Sequence, residues 1–140
     1  MANPVIVPVY EYYAANATGY RYQYSTSPDI RDGWVRKGIA FYAFAQSQAG
    51  TKAVEQYYAP EPWRYQYVID KSKVGSGWYS EGIAFYAFTQ PPQGVATIPV
   101  YQYSAQQPYW RFRYSINGGI QEPGWRNDGP VFYVFAATSV

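Results

Sequence analysis

Three arginines follow a large aromatic residue in matching sequence contexts, and they are the side chains best suited to hold a ligand. They form the pairs Tyr20-Arg21, Trp63-Arg64 and Trp110-Arg111. A guanidinium group offers several donors to sugar hydroxyls or a carboxylate, and the adjacent ring could stack on a sugar face. The alternative is structural: each arginine would lie over an aromatic ring or pair with an acid, and the preceding ring would be buried.

Short polar side chains follow each of these segments and could supply hydrogen-bond partners to the same ligand. They are Asp29, Asp70 and Asn117. A shallow sugar site needs such groups beside an aromatic ring, but ordinary turns also need them, and the turn interpretation is favoured. Two further sets of polar residues recur and stay ambiguous: Glu81 and Asp128, where the first repeat has Lys37, and Glu11, Gln56 and Gln102.

The composition excludes several kinds of chemistry. The chain has no cysteine and no histidine, which removes disulfides, thiol nucleophiles and the commonest general base. A pair of catalytic carboxylates, a phosphate-binding loop and metal-ligand spacing are also missing from the sequence, so we expect a binding protein without cofactor, not an enzyme. The net charge of +2 does not predict nucleic-acid binding.

An internal repeat positions these side chains. The sequence Gly-Ile-Ala-Phe-Tyr-Ala-Phe occupies Gly38–Phe44 and Gly82–Phe88, and Gly129–Phe135 is a looser copy. We predict one domain, 1–140, with repeats at about 8–50, 51–95 and 96–140. Alternation of aromatic and polar residues, as in Tyr20–Tyr24, is typical of half-buried strands. We therefore predict an all-β fold of about four strands per repeat, closing with pseudo-threefold symmetry as a β-trefoil; a small propeller or another three-part barrel is the alternative.

The apolar residues that recur in every repeat are expected to build the core. The tryptophans after glycine are interpreted as core plugs or barrel caps, because a tryptophan after a turn is seldom an exposed platform. These are Trp34, Trp78 and Trp125. The residues assigned mainly to the core are Val9, Ile39, Phe41, Tyr42, Phe44, Val54, Ile83, Phe85, Tyr86, Phe88, Val100, Phe132, Tyr133 and Phe135.

The motifs Pro-Val-Tyr-x-Tyr-Tyr at Pro8–Tyr13 and Gly-Trp-x-x-Glu-Gly-Ile-Ala-Phe-Tyr around Ser80–Tyr86 resemble those of an uncharacterised bacterial and fungal repeat family. The resemblance extends over about Pro8–Phe135. Members are often attached to secreted or cell-wall-acting enzymes, which implies a surface or glycan-binding accessory role. This chain has Arg, Tyr and Gln where members usually have His, so its ligand specificity must differ if that His contacts the ligand in relatives. The overall format also resembles β-trefoil lectins, although the Gln-x-Trp signature is missing.

These features together predict a lectin-like protein with up to three shallow, related sites and with glycans or glycoconjugates as partners. We expect a soluble chain with no signal peptide, which is cytoplasmic or released by another route. One alternative is a protein-interaction module such as a trefoil-type hydrolase inhibitor, acting through Pro60–Pro62 or Asp70–Ser76. The other is a structural oligomer that associates through exposed Tyr and Trp side chains.

Overall fold

The computed structural model describes residues 6–16, 19–27, 33–60, 64–106 and 110–135, and within this part the chain is all-β. A short 3-10 turn, Lys71–Lys73, is the one helical element there, and no helix in these ranges has the length and apolar character needed to cross a membrane. The nine strands are β1 Ile6–Asn16, β2 Gly19–Ser25, β3 Val35–Phe44, β4 Thr51–Ala59, β5 Arg64–Val68, β6 Tyr79–Phe88, β7 Ile98–Ala105, β8 Arg111–Ser115 and β9 Arg126–Val134.

The strands are grouped as three units of three antiparallel strands, where about four per repeat were predicted. In each unit the first strand pairs with both others: β1 with β2 and β3, β4 with β5 and β6, and β7 with β8 and β9. We call these the first, second and third units. The Gly-Trp segments form no separate strand, because each turns at a positive-φ glycine and leads directly into the third strand of its unit.

The third strands of the units also contact one another, so that the nine strands form one antiparallel sheet. Phe44 pairs with Tyr86 between β3 and β6, and Phe88 pairs with Tyr133 between β6 and β9. Phe135, just after β9, exchanges two backbone hydrogen bonds of 2.9 Å with Tyr42 of β3. Each unit therefore contacts the other two through its third strand.

The core consists of aromatic side chains in sets of three, one from each unit. In each set the centre of every ring lies 5.4–6.0 Å from the centres of the other two. All of these pairs meet edge to face, an arrangement that aromatic rings prefer. Val9, Val54 and Val100 are fully buried beside them. The three sets are Tyr24, Tyr67 and Tyr114; Phe41, Phe85 and Phe132; and Phe44, Phe88 and Phe135.

Some residues predicted to belong to the core lie elsewhere. Ile39 is 48% exposed and Ile83 is 55% exposed, so their assignment to the core was wrong. Both follow a glycine at an irregularity in the pairing of the third strand, and this shift turns their side chains outward. Tyr42, Tyr86 and Tyr133 are half-buried and pack against the set formed by Phe44, Phe88 and Phe135.

Candidate functional site

The three repeated arginines lie over the tryptophans of the Gly-Trp segments. The guanidinium carbon is 5.3 Å from the Trp34 ring centre for Arg21, 5.1 Å from Trp78 for Arg64 and 5.0 Å from Trp125 for Arg111. Arg64 also donates a hydrogen bond of 2.7 Å from Nη1 to the carbonyl of Trp110. This is the geometry of the structural alternative, in which the arginine face is covered by protein.

Each of these tryptophans also packs edge to face on an aromatic ring of the next unit. Trp34 contacts Tyr65 at 5.6 Å, Trp78 contacts Phe112 at 5.7 Å and Trp125 contacts Tyr22 at 5.8 Å. All three tryptophans are half-buried. The arginine–tryptophan pairs therefore lie where neighbouring units meet.

The remaining predicted site residues do not converge on one pocket. Trp110 is 44% exposed and stacks on Phe112 at 6.2 Å, so its ring has an open face. Asp70 accepts hydrogen bonds from the backbone N–H and hydroxyl of Ser72, and Asn117 accepts one from the N–H of Gly119, as turn residues do. Asp29, Trp63 and the side chain of Tyr20 lie outside the described residues.

Removal of one of these arginines is expected to reduce stability. Arg64→Ala loses the contact with Trp78 and the hydrogen bond to Trp110, so we expect the free energy of unfolding to fall by about 1–2 kcal/mol. Urea denaturation measures this, with Lys52→Ala as a control on an exposed cation of the same unit. Unchanged stability of Arg64→Ala would contradict the structural role.

The buried tyrosines of the core form a cyclic hydrogen-bond network between the units. The backbone N–H of Tyr24 donates to the hydroxyl of Tyr67 at 2.7 Å, that of Tyr67 to Tyr114 at 3.0 Å, and that of Tyr114 to Tyr24 at 2.8 Å. Burial raises the pKa of all three hydroxyls well above the ordinary value, so they stay protonated and can donate. The Tyr24 hydroxyl donates to Glu11 and the Tyr114 hydroxyl to Gln102, whereas the Tyr67 hydroxyl has two acceptors, the Tyr24 carbonyl at 2.8 Å and Gln56 Oε1 at 2.7 Å.

In the second and third units, hydrogen bonds connect the tyrosine hydroxyl through a glutamine to a carboxylate nearer the surface. The Tyr67 hydroxyl lies 2.7 Å from Oε1 of Gln56, and Gln56 Nε2 donates to Glu81 Oε1 at 2.7 Å. The Tyr114 hydroxyl donates to Gln102 Oε1 at 2.9 Å, and Gln102 Nε2 donates to Asp128 Oδ2 at 3.1 Å. Because an ionised carboxylate can only accept hydrogen bonds, each glutamine must present its NH₂ group to the acid, and its amide oxygen then faces the tyrosine hydroxyl.

A glycine follows each of these acids and allows the backbone to place them. Gly82 has φ of 99° and Gly129 has φ of 103°, which is left-handed backbone that other residues seldom adopt. The register of β6 and β9 against their partners shifts at these positions. The irregular pairing places Glu81 and Asp128 at the walls of surface grooves.

Two grooves occur at equivalent junctions between units. The first groove, between the first and second units, has a volume of about 190 Å³, and the second groove, between the second and third units, has about 490 Å³. Each contains a core tyrosine, a glutamine, an acid and an aliphatic rim. The first is lined by Tyr24, Ser25, Gln56, Glu81, Ile83 and Ala84. The lining of the second includes Gln66, Tyr67, Gln102, Asp128, Pro130 and Val131, and also Asp70, one of the residues predicted from the sequence to bind a ligand.

Asp128 of the second groove is held firmly but can still accept hydrogen bonds. Its Oδ1 accepts from Ser104 Oγ and from Arg126 Nε, each at 3.1 Å, and its side chain is 17% exposed. A carboxylate can accept about four hydrogen bonds, so capacity remains for a ligand hydroxyl. In the described ranges, no three acidic side chains lie close enough to bind a metal ion. Asp128 therefore offers an acceptor oxygen to a polar group in the second groove.

These acids and glutamines recur in the sequence, but their recurrence alone did not indicate a role for them. The signal that could have found them is their pairing within a repeat: Gln56 occurs with Glu81 and Gln102 with Asp128, whereas Glu11 occurs with Lys37. In every unit, a hydrogen-bond donor on the first or third strand is thus matched by an acceptor on the other of these two strands.

The chain matches the family model described as a domain of unknown function, DUF5648, over residues 2–88. These residues are more than half of the chain and include the first two units. No curated protein and no solved structure matches the chain. The protein therefore belongs to the DUF5648 domain family.

Proposed function

We propose that this protein binds glycans and that the first and second grooves are its binding sites. The observation that carries the proposal is the repeated, pre-oriented amide–carboxylate pair: Gln56 with Glu81 and Gln102 with Asp128. Sugar hydroxyls need both donors and acceptors at fixed positions, and a rigid site avoids the entropy cost of ordering side chains on binding.

The apolar rim of each groove supports the same function. Ile83 is exposed at the edge of the first groove, and Pro130 and Val131 line the second. Such aliphatic surface can pack on the C–H face of a pyranose ring while the acid and amide bind its hydroxyls. The second groove falls within the range of about 300–1,000 Å³ that is usual for small-ligand sites, so it should be the stronger of the two.

The proposed architecture is a β-trefoil in which the three units surround a pseudo-threefold axis. The equivalent strand pairing of the units, the core aromatics in sets of three and the contacts among the three third strands support it. In this arrangement two grooves would present the same chemistry in different directions. Clustered glycans would then be bound with an avidity about 10²–10⁴ above that of one site.

We expect two saccharide-binding sites per chain, and we expect substitution of one acid to weaken only the site that contains it. After a glycan array identifies a neutral saccharide, titration calorimetry should give a stoichiometry of two. Asp128→Asn removes a charged acceptor from the second groove, so binding there should weaken by about 10- to 150-fold. Glu81→Gln should do the same in the first groove.

The control is Glu55→Gln, since Glu55 lies beside Gln56 in sequence but bonds to Tyr57 and Ser80 outside the groove linings. Binding that both Asp128→Asn and Glu81→Gln leave unchanged would reject the grooves as sites. A protein-interaction module or a structural oligomer would then be favoured; the loop Pro60–Pro62 of the first alternative lies only partly in the described residues.

A further inference from the structure

The junction between the third and first units has the backbone of the two grooves but the opposite arrangement of charge. Glu11 stands where the other junctions have glutamine, and Lys37 stands where they have the acid. Arg113 replaces Gln66. We call the candidate site that Glu11, Lys37 and Arg113 form at this boundary the third junction.

The two cations of the third junction lie on either side of one carboxylate. Lys37 Nζ is 3.9 Å from Glu11 Oε1, and Arg113 Nε is 3.9 Å from Glu11 Oε2. The Tyr24 hydroxyl donates to Oε2 at 2.6 Å. Glu11 thus accepts a hydrogen bond from a core tyrosine, as Gln56 and Gln102 do. Unlike these glutamines, it has no N–H group to present outward.

The Lys37 ammonium is available to a ligand. Its side chain is 46% exposed, and its contact with Glu11 at 3.9 Å is too long for a hydrogen bond. An ammonium group has three donors and no acceptor. The ring of Tyr22 lies beneath it at 5.9 Å and also beneath Arg113 at 4.8 Å, so both cations share one aromatic support.

Arg113 is largely buried and lies between two carboxylates, Glu11 and Glu122. Its side chain is 10% exposed, and its Nη1 donates to Glu122 Oε1 at 3.1 Å. Its Nε is buried with no hydrogen-bond acceptor among the described residues. Burial works to lower the pKa of Arg113, but Tyr22, Glu11 and Glu122 together raise it above its ordinary value, so the charge persists.

We propose that the third junction binds the carboxylate of an acidic saccharide, whereas the two grooves bind neutral sugar hydroxyls. This deepens the proposed function and rests on it. A ligand carboxylate would accept hydrogen bonds from Lys37, whose own contact with Glu11 is too long for a hydrogen bond, whereas a neutral sugar would find no outward carboxylate–amide pair there. The chain would then combine two kinds of sugar recognition on one surface.

Titration calorimetry with digalacturonic acid and with its methyl ester tests the proposal. The two compounds have the same sugar skeleton, but only the acid carries negative charge. We expect one site for the acid, weakened by added salt as exposed charge pairs are. Lys37→Gln should weaken this site at least about tenfold, the effect of losing one charged hydrogen bond. It should leave the binding of a neutral saccharide to the grooves unchanged. Lys52→Gln, which changes an exposed lysine of β4, is the matched control.

A gain-of-function variant gives a second test. Glu11→Gln, Lys37→Glu and Arg113→Gln together give the third junction the equivalents of Gln56 and Glu81 of the first groove and of Gln66 of the second, and the stoichiometry for a neutral saccharide should rise from two to three. Three equal neutral sites in the unaltered protein, or digalacturonate binding that survives Lys37→Gln, would overturn the inference. A protein that bound neutral saccharides but not digalacturonate would overturn this inference alone. One that bound neither would also overturn the proposed function.

Discussion

Replacing Phe85 by alanine is expected to lower the free energy of unfolding by about 3–5 kcal/mol, the usual cost of removing a buried phenylalanine. The ring is 1% exposed. It packs edge to face on Phe41 at 5.5 Å and on Phe132 at 5.7 Å, and it stacks on Tyr67 at 6.5 Å. These neighbours come from all three units, so the cavity left by alanine could not be filled by movement of one unit. Urea denaturation followed by tryptophan fluorescence measures the change.

The size of this effect matters because domains of this kind are stabilised by only about 5–15 kcal/mol. The matched control is Tyr79→Ala on the same strand, since Tyr79 is 55% exposed and touches only Tyr58 among the ring contacts described for it. We expect it to cost less than about 1.5 kcal/mol. A Phe85→Ala protein as stable as Tyr79→Ala would mean that the sets of three rings do not form the core.

Tyr114→Phe is expected to cost about 2–3 kcal/mol although it removes a single oxygen atom. The hydroxyl accepts from the buried N–H of Tyr67 at 3.0 Å and donates to Gln102 Oε1 at 2.9 Å. Without it the N–H is left buried and unsatisfied, which is more costly than the loss of an ordinary hydrogen bond. The melting temperature and the urea midpoint should both fall.

The same substitution should weaken ligand binding in the second groove and leave the first groove unchanged. Gln102 would lose the partner that turns its NH₂ group toward Asp128, whereas Gln56 and Glu81 keep theirs. Tyr79→Phe is the control, because it removes an exposed hydroxyl and should change stability by no more than about 0.5 kcal/mol. Wild-type stability of Tyr114→Phe would contradict the role of the tyrosine network.

The all-β character of the chain and most of its core could be predicted because they depend on local patterns. Strict alternation placed Tyr22 and Tyr24 on one face, and both are buried; the prediction that the strand is half-buried was wrong, because Gln23 on the other face is buried too. The exposed Ile39 and Ile83 could not be predicted from alternation, since an irregularity in the strand pairing reverses the direction of the side chains that follow.

The hydrogen bonds between units were also beyond sequence reasoning. The hydroxyl of Tyr67 bonds to a backbone group 43 residues away, and that of Tyr24 bonds to one 90 residues away. Such contacts depend on which units are neighbours in space, and no local pattern contains that information. Both interpretations of Arg21, Arg64 and Arg111 were open in the sequence for the same reason, because only the fold determines where each tryptophan packs.

A crystal structure with the best neutral saccharide from the glycan array tests the central claim most directly. We predict sugar hydroxyls within hydrogen-bond distance of Asp128 in the second groove, with the pyranose ring against Pro130. At higher saccharide concentration Glu81 should be occupied in the same way. A saccharide stacked instead on the open face of Trp110, with both grooves empty, would contradict this interpretation.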